Sequence, residues 1–353
     1  MTTTGMNNDP VALISRSALR QNFSLARRLA PDARVVAVVK ANGYGHGMAE
    51  VVRILHDADA YAVARVSEGI EVRQVTRSQV LILQGMINQQ EADLCLAHQL
   101  TPVLGSPEQV ERFLQTAALP QCWLKVDTGM HRFGLSPAQV LEATAKLGSR
   151  VRCLVTHYAN SENQSHELNR EQFSRFDELL QQTGLPGSMA NSGGVLFHPH
   201  AHYQWVRPGI MVYGSSPTGV TLPQLTATMT LQAPIVSLRH IEAGEAVGYG
   251  SSWSPAGPAR IAVVGIGYAD GYPREVPPDM PVVVQGQRVP IVGRVSMDSL
   301  MIDVTSIREP MVGEPVELWG EQLPVDEVAM LAGTLGYVLM SRLTPRVRRE
   351  YTE

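Results

Sequence analysis

Helix-like and strand-like hydrophobic patterns alternate along the chain from residue 15 to residue 212. Residues 15–30 place apolar side chains on one stripe at helical spacing, which predicts an amphipathic helix. Residues 35–39 are apolar without interruption and mostly β-branched, which predicts a strand buried on both faces. Further strand-like segments follow at 60–66, 80–84, 101–104, 122–126, 152–157, 187–191 and 205–212. Helix-like segments separate most of them, at 48–56, 67–76, 88–98, 107–118, 137–147 and 167–182.

This regular alternation predicts the first part of the fold. Eight strand-like segments, spaced about 20 to 30 residues apart with helices between them, are typical of a (β/α)8 barrel of the TIM type. Functional residues of such barrels lie at the C-terminal ends of the strands. An open, doubly wound sheet has the same local pattern and remains the alternative.

Near residue 225 the helices give way to short strands and turns. Strand-like segments lie at 234–239, 260–266, 281–284, 288–292, 300–304 and 315–319, and residues 325–335 predict a helix. Gln-Gly-Gln at 285–287 predicts a hairpin tip. The predicted fold is therefore α/β, with a (β/α)8 barrel over residues 1–224 and a mostly-β C-terminal domain over residues 225–353.

Composition and charge exclude several kinds of partner. The chain has 353 residues, 44% hydrophobic and 18% charged, which is typical of a globular protein large enough for two domains. Its net charge of −4 gives no indication of nucleic acid or an acidic membrane as a partner. The three cysteines are far apart, so no disulfide framework is indicated. Residues 1–10 lack the features of a signal peptide, and no apolar run approaches ~20 residues, so we expect a cytoplasmic protein.

Lys40 ends the first barrel strand and is followed by a turn that contains Gly43, Gly45 and Gly47. A lysine at the mouth of a buried strand is partly desolvated, which disfavours its charged form and frees its amine to attack a carbonyl. The glycines let the backbone pass close to a ligand. The alternative is a lysine that ends a strand and points to solvent.

Other predicted barrel strands also end in residues that could bind a ligand or take part in catalysis. Residues 125–134, Lys-Val-Asp-Thr-Gly-Met-His-Arg-Phe-Gly, form a glycine turn whose Arg132 could clamp a carboxylate or a phenolate, or could lie on the surface of a structural turn. His157 closes a strand, where a histidine is more often structural than catalytic. Asn-Ser-Gly-Gly at 191–194 and Arg-Pro-Gly-Ile at 207–210 offer a hydroxyl and backbone N–H groups suited to a phosphate.

The second domain carries three glycine-containing motifs, Val-Gly-Tyr-Gly at 247–250, Gly-Ile-Gly-Tyr-Ala-Asp-Gly-Tyr at 265–272 and Gly-Arg-Val-Ser-Met-Asp at 293–298. Taken alone, a tyrosine in such a loop is more often a packing residue than a catalytic one. Residues 265–271 are one residue too long for the dinucleotide-binding GxGxxG pattern. His198, His200 and His202 lie beside Pro199 without nearby carboxylates, so we expect a loop there and no metal site.

The amino-acid sequences of these motifs are more specific than the spacing of their residue types. Val-Val-Lys-Ala-Asn-Gly-Tyr-Gly-His-Gly at 38–47 resembles the pyridoxal-phosphate lysine motif of the alanine racemase family. The other motifs resemble that family's motifs in the same order, through both domains to Tyr337. Gly43 stands where many members carry alanine, and His131 lies within the arginine turn. The resemblance implies interconversion of L-alanine and D-alanine with pyridoxal 5'-phosphate, which supplies D-alanine for peptidoglycan or consumes it in catabolism.

The resemblance also implies a role for each matching residue. Lys40 would hold the cofactor covalently and serve as one catalytic base, and Tyr249 would be the base on the L-alanine face. The other cofactor-binding residues would be Tyr44, His157, Ser192, Arg207, Gly209, Ile210 and Tyr337. The substrate-binding residues would be Arg132, Met297, Asp298 and Tyr268, with Tyr268 and Tyr337 narrowing the entrance and the pocket. The family's lysine that matches Lys125 is often carbamylated and holds the arginine in place, so Lys125 would support Arg132, with or without a carbamate.

Arg207 would face the pyridine nitrogen of the cofactor. A guanidinium there disfavours protonation of that nitrogen and so weakens the electron sink, which suits racemisation better than transamination. Because a free phenol titrates near pH ~10, a tyrosine base needs cationic surroundings. A chain from Tyr249 through His157 to Arg207 would supply them.

The family's second domain completes the barrel site of the other subunit, so the resemblance implies a head-to-tail homodimer. A related decarboxylase class shares the two-domain plan but typically uses a cysteine in its second domain, whereas Cys95, Cys122 and Cys153 all lie in the first. A broad-specificity or serine racemase is a closer alternative, and Tyr337 favours a smaller pocket. A pyridoxal-phosphate carrier protein has the barrel alone, so the second domain weighs against it.

Overall fold

The computed structural model describes residues 9–353. Most of the stretch 1–10, which the sequence predicts to lack a signal peptide, lies outside the described residues. The chain divides into two compact units. One unit is Leu19–Val212, and the other combines the segment that ends at Ala18 with Tyr213–Glu353. The second unit thus includes a strand, Val11–Ser15, that lies in the part of the sequence assigned above to the barrel domain.

The first unit is a closed barrel of eight parallel strands surrounded by helices, which confirms the predicted (β/α)8 fold. Arg34 pairs with Trp205, so the last strand closes on the first. The strands are Arg34–Val38, Ala60–Val63, Gln79–Ile82, Thr101–Leu104, Cys122–Lys125, Val151–Val155, Gly187–Ser188 and Trp205–Val206. The helices are Arg16–Leu29, Met48–Ile54, Val66–Arg73, Gln89–Ala97, Pro107–Gln115, Pro137–Leu147, Glu167–Thr183 and Ser192–Phe197.

Several barrel helices begin at a polar cap that the sequence encodes locally. Asn88, Ser106 and Ser136 each accept a hydrogen bond from a backbone N–H in the first turn of the helix that follows. These bonds satisfy donors that would otherwise lack a partner, and each stabilises its helix by about 1 kcal/mol. The caps fix where each helix starts, and therefore the length of the loop that follows each strand.

The second unit is built on one mostly antiparallel sheet. The strands lie in the order Ala259–Val264, Leu300–Asp303, Gln287–Val292, Pro281–Val284, Pro315–Trp319, Met229–Ile241, Val11–Ser15 and Arg348–Thr352. Met229–Ile241 is long enough to pair also with Ala259–Val264 at its far end. Two short helices, Val325–Leu331 and Gly336–Arg342, follow the strand Pro315–Trp319. The prediction of a C-terminal mostly-β domain is confirmed.

The C-terminal region differs from the sequence prediction in three places, one of which is the helix Gly336–Arg342, which was not predicted. The helix predicted over 325–335 ends at Leu331, and Gly333 then takes a φ of 62°, which a right-handed helix does not allow. The last strand, Arg348–Thr352, was not predicted because its residues are polar and mostly charged. It forms instead by parallel pairing with Val11–Ser15, at the edge of the sheet.

Within residues 9–353, no helix is long and apolar enough to cross a membrane. The same residues contain no group of three or more histidine, cysteine or acidic side chains arranged to hold a metal ion.

Candidate active site

Lys40 lies two residues after the end of the barrel strand Arg34–Val38, at the start of an unusual turn. Ala41, Asn42, Gly43 and Tyr44 have φ values of 53°, 54°, 62° and 51°, so the chain makes a left-handed turn. Each residue other than glycine is destabilised by about 1–2 kcal/mol in this conformation. The turn therefore depends on bonds from its surroundings, and it sets the direction in which the Lys40 side chain leaves the strand.

Hydrogen bonds within the turn and hydrogen bonds to neighbouring segments stabilise its conformation. Within the turn, the Gly43 N–H donates to the Val39 carbonyl at 2.9 Å. From outside, the Glu68 carboxylate accepts from the Ala41 N–H at 2.7 Å, and the Asn42 side chain accepts from the Met48 N–H at 2.9 Å.

The electrostatic surroundings of Lys40 favour its neutral amine. Burial and the Arg132 guanidinium lower the pKa of Lys40, and Glu68 opposes them. A lysine with a lowered pKa has more of the nucleophilic amine at neutral pH, as attack on an aldehyde requires.

A small cradle of polar groups forms where two later barrel segments meet the Lys40 turn. The Ser192 hydroxyl accepts hydrogen bonds from the Gly209 N–H at 2.9 Å and from the Met211 N–H at 3.3 Å. A Cβ at Gly209 would lie 2.5 Å from the Tyr44 hydroxyl, so only glycine leaves room for that side chain. The structure therefore brings together Tyr44, Ser192, Gly209 and its neighbour Ile210, four of the predicted cofactor-binding residues.

Arg207 is buried at the barrel mouth, and four residues lie within hydrogen-bond distance of its guanidinium, including the Met189 carbonyl at 3.4 Å. Its Nη1 donates to the Ser188 hydroxyl at 2.6 Å, and its Nη2 lies 2.6 Å from the Thr156 carbonyl and 3.2 Å from His157 Nδ1. Burial lowers the pKa of Arg207 to about 10, so the guanidinium stays charged at neutral pH. The structure thus places a permanent cation against the imidazole of His157.

That cation determines the protonation of His157. A guanidinium can only donate, so His157 Nδ1 must accept, and the proton of the neutral ring lies on Nε2. The Asn191 amide nitrogen lies 3.3 Å from Nε2, but it too is a donor, because its Oδ1 already accepts from the Gly194 N–H. Burial, Lys125 and Arg207 lower the pKa of His157 well below its usual range. His157 is therefore neutral, with an Nε2–H that Asn191 cannot accept.

The turn that carries Arg132 is organised by Asp127. The Asp127 carboxylate accepts from the backbone N–H groups of Gly129, Met130 and His131, and its second oxygen lies 2.9 Å from the His131 ring. Lys125 precedes this turn, and burial, together with the Arg207 and Arg132 charges, lowers its pKa to about 7. At neutral pH a substantial fraction of the Lys125 amine is therefore uncharged, in cationic surroundings.

A buried chain of hydroxyls beneath these residues was not predicted from the sequence. The Gln172 side chain donates to the Thr128 hydroxyl at 3.1 Å and to the His157 carbonyl at 2.9 Å. Thr128 and Thr156 share a hydrogen bond of 2.8 Å, and Thr156 donates to the Val126 carbonyl. Nothing local marks Gln172, because its helical neighbours are ordinary amphipathic residues and its partners lie far away in sequence.

The second unit carries the remaining predicted residues, all on loops except Tyr337. Tyr249 starts the turn Tyr249–Ser251 between two glycines with positive φ and is 72% exposed. The Tyr268 N–H donates to the Ser296 carbonyl at 3.1 Å, which joins the Tyr268 loop to the loop of Met297 and Asp298. Arg346 contacts Asp298 at 2.7 Å. Tyr337 lies apart from these loops in sequence, on the helix Gly336–Arg342.

Comparisons with known proteins agree over nearly the whole chain. The family model described as alanine racemase, N-terminal domain, matches residues 14–217, and the one described as alanine racemase, C-terminal domain, matches residues 228–351. The biosynthetic alanine racemase of Pseudomonas aeruginosa is 46% identical over 97% of this chain and 99% of its own length. An alanine racemase of Nitrosococcus oceani is 42% identical, with the same coverage.

Solved structures give the same result. The crystal structure of the biosynthetic enzyme of Pseudomonas aeruginosa matches with a TM-score of 0.93 and 44% identity over 98% of this chain and 100% of that chain. The alanine racemase of Bartonella henselae with covalently bound pyridoxal phosphate matches with a TM-score of 0.91 and 29% identity, with the same coverage. By its two domain matches and its full-length relatives, the chain belongs to the alanine racemase family.

Proposed function

We propose that this protein interconverts L-alanine and D-alanine with pyridoxal 5'-phosphate, as a cytoplasmic homodimer. The observation that carries the proposal is Lys40, a lysine with a lowered pKa that is held on a left-handed turn. Tyr44, in the same turn, reaches the cradle of Ser192 and Gly209, so the turn that carries Lys40 also borders a cluster of hydroxyl and backbone polar groups.

The residues present fit this cofactor. The glycine at 209 leaves a space that a Cβ would fill, and the Tyr44 and Ser192 hydroxyls border it. Hydroxyls and backbone N–H groups of this kind bind phosphate in many proteins. Lys40 would hold the cofactor through its amine, Arg207 would lie against the ring, and Ile210 and Tyr337 would complete the phosphate contacts. When bound, the cofactor withdraws electrons from the α-carbon of an attached amino acid and makes its α-proton acidic.

Two bases then act on opposite faces of the substrate. The Nζ of Lys40 takes or returns the proton on the D-alanine side, and the hydroxyl oxygen of Tyr249 does so on the L-alanine side. His157 supports Tyr249 through its Nε2–H, the donor that Asn191 cannot accept. Arg207 donates to the other ring nitrogen of His157, Nδ1, so the imidazole keeps its proton on Nε2. This tautomer is unchanged while the Tyr249 hydroxyl gives up or regains its proton. The charge of Arg207 thereby favours the anionic phenolate that a tyrosine base requires.

The substrate would be bound by side chains on the turn that follows Lys125 and on the second unit. Arg132 is an exposed guanidinium on a turn fixed by Asp127, and it can clamp the alanine carboxylate. Met297 and Asp298 would bind the same carboxylate from the second unit, while Tyr268 and Tyr337 narrow the pocket to a small side chain. A narrow pocket favours alanine over serine and over the larger substrates of the decarboxylase class.

The exposed position of Tyr249 supports a head-to-tail homodimer. A base must reach its substrate, yet Tyr249 is 72% exposed on the surface of the second unit. Met297, which lies on a neighbouring loop, is 53% exposed. We infer that these loops enter the barrel mouth of a second copy, so that each site has Lys40 from one subunit and Tyr249 from the other.

Replacing Gly209 by alanine is expected to weaken cofactor binding. The new methyl group would lie 2.5 Å from the Tyr44 hydroxyl and displace it from the phosphate cradle. Overpacking of this kind costs about 1–3 kcal/mol, or roughly tenfold to a hundredfold in Kd. Equilibrium titration of the apoprotein with pyridoxal phosphate, followed by absorbance, measures the change.

Gly257→Ala is the matched control, because a Cβ at Gly257 meets nothing within 4 Å. It should leave the Kd unchanged. An unchanged Kd in Gly209→Ala itself would remove Gly209 and Tyr44 from the cofactor site.

Lys125 is expected to form a carbamate with dissolved carbon dioxide. Its neutral amine, available because its pKa is lowered to about 7, adds to the carbon of CO2, forms an N–C bond and releases a proton. The carbamate anion would then lie among the cations that lower this pKa, including Arg132. NMR with ¹³C-labelled bicarbonate should show a carbamate signal that disappears in Lys125→Arg and weakens as the pH falls below about 7.

The chain has three lysines, Lys40, Lys125 and Lys146. Lys146→Arg serves as the control, because the Glu142 carboxylate raises the pKa of Lys146 and keeps its amine protonated. A signal that persists in Lys125→Arg would assign the carbamate elsewhere, and no signal in the unaltered protein would refute carbamylation.

Incubation with separate L-amino acids and chiral chromatography of the products test the proposed function. D-alanine from L-alanine, faster than D-serine from L-serine, is the expected result. Release of carbon dioxide would instead support a decarboxylase. No change in any amino acid, with the cofactor bound, would support a carrier protein.

A further inference from the structure

Glu68 forms a cap at the start of the helix Val66–Arg73, but only one of its oxygens serves the cap. Its Oε2 accepts from the backbone N–H groups of Ala64 at 2.9 Å and Arg65 at 3.1 Å. A glutamate at the third position of a helix commonly makes such bonds. Its Oε1 leaves this helix and accepts from the Ala41 N–H at 2.7 Å.

The bond to Ala41 joins two adjacent barrel segments at the residue that follows Lys40. Ala41 begins the left-handed turn, in which five successive residues, 41–45, have positive φ. Such a run persists only where surrounding contacts over-determine it. The turn's own bonds, such as Gly45 N–H to the Ala41 carbonyl, stabilise its later part and leave the Ala41 N–H to Glu68.

Glu68 also brings charge to this place. It is half-buried, and its carboxylate opposes the effect of the Arg132 guanidinium on the pKa of Lys40. Two independent observations therefore connect Glu68 with Lys40, one geometric and one electrostatic. Neither is needed for a helix cap.

We propose that Glu68 is a positioning residue for Lys40, which fixes the left-handed turn through the Ala41 N–H and so aims the lysine amine at the barrel mouth. The inference rests on the proposed role of Lys40 as the residue that holds the cofactor. Glu68 contacts neither the cofactor cradle nor the substrate clamp among the described contacts, so it acts through the Lys40 turn.

The chain supplies a matched control in Glu91. Glu91 occupies the same position in the helix Gln89–Ala97, is also half-buried, and accepts a 2.7 Å hydrogen bond from the backbone N–H of Ile87. It has the same capping function as Glu68, but the Ile87 segment carries none of the predicted site residues. Glu91→Ala therefore reports the cost of losing a cap alone.

The test measures how fast Lys40 becomes linked to pyridoxal phosphate in the apoprotein. Borohydride trapping at successive times, with peptide mapping, separates Lys40 from Lys125 and Lys146. A misaimed amine slows such a step by roughly tenfold to a hundredfold, which is the expected effect of Glu68→Ala. Glu91→Ala should link at the unaltered rate, with a similar drop in Tm.

Glu68→Gln separates charge from geometry. The single side-chain oxygen of glutamine can accept from the Ala41 N–H or from the N–H groups of Ala64 and Arg65, but not from both sets. The substitution also removes the negative charge that opposes the effect of Arg132 on the pKa of Lys40. The Glu68 carboxylate raises the pKa of Lys40, so the pKa of Lys40 should fall when this charge is removed. The amine then stays neutral at lower pH, and the pH profile of Lys40 linkage should shift to lower pH. A structural cap alone would not move this profile.

Equal linkage rates in Glu68→Ala and Glu91→Ala, or an unshifted pH profile in Glu68→Gln, would overturn the assignment of Glu68. Failure of the unaltered protein to link Lys40 at all would instead refute the proposed function, so the two failures are distinguishable.

Discussion

Alanine in place of Lys40 is expected to abolish both covalent cofactor binding and racemisation. The variant lacks the amine that holds the cofactor and the base for the D-alanine face, so turnover should fall by at least about 10⁴-fold. The pKa of Lys40 is lowered by burial and by Arg132, which is the property that a cofactor-linking lysine needs. Absorbance of the bound cofactor, and borohydride trapping followed by peptide mapping, measure the first loss, and chiral chromatography measures the second.

Lys40→Arg is the informative control, because arginine keeps the positive charge but cannot release its proton in a protein. It should be as inactive as the alanine variant, and both should keep the fold by circular dichroism. Covalent attachment at Lys125 or Lys146 with turnover preserved would contradict the assignment of Lys40.

Phenylalanine in place of Tyr249 is expected to stop proton exchange on one face only. Without the phenolic oxygen, α-proton exchange from L-alanine should fall by about 10²–10⁴-fold, the range for a lost acid–base group. Exchange from D-alanine, which depends on Lys40, should persist, and the cofactor should remain bound. Tyr272→Phe is a suitable control, because the buried Tyr272 hydroxyl has no hydrogen-bond partner among the described residues.

The same variant tests the arrangement of the subunits. In a head-to-tail dimer of one Lys40→Ala chain and one Tyr249→Phe chain, one of the two sites regains both bases. Co-expressed chains carrying different affinity tags should therefore recover activity that neither variant has alone. Inactive mixed dimers would contradict a site shared between subunits.

Much of the barrel could be predicted from the sequence because its strands are buried on both faces. Residues 35–39 and 60–63 are apolar throughout, and their spacing follows directly from that pattern. The short strands Gly187–Ser188 and Trp205–Val206 were found by position, as members of a series of eight. The strand Val11–Ser15 was missed because its partners, Met229–Ile241 and Arg348–Thr352, are more than two hundred residues away.

Candidate site residues could be proposed from the sequence, but their hydrogen bonds and protonation could not. Motif resemblance located Lys40, His157 and Arg207, whereas the tautomer of His157 follows only from the 3.2 Å contact with a guanidinium. The hydrogen bond between the Ala41 N–H and Glu68 also could not be predicted from the sequence. A capping motif predicts the bonds within its own helix, but it does not predict which distant backbone N–H the second carboxylate oxygen contacts. Hydrogen-bond direction and pKa shifts are properties of the folded neighbourhood.

The most direct test of the central claim is proton NMR of the purified protein with L-alanine in D2O. We expect loss of the α-proton signal of L-alanine together with the appearance of D-alanine, at the same rate within a small factor, until the two enantiomers are equal. Persistence of the α-proton in the presence of bound pyridoxal phosphate would contradict it. So would exchange of that proton without any D-alanine, since one base would then act on one face only.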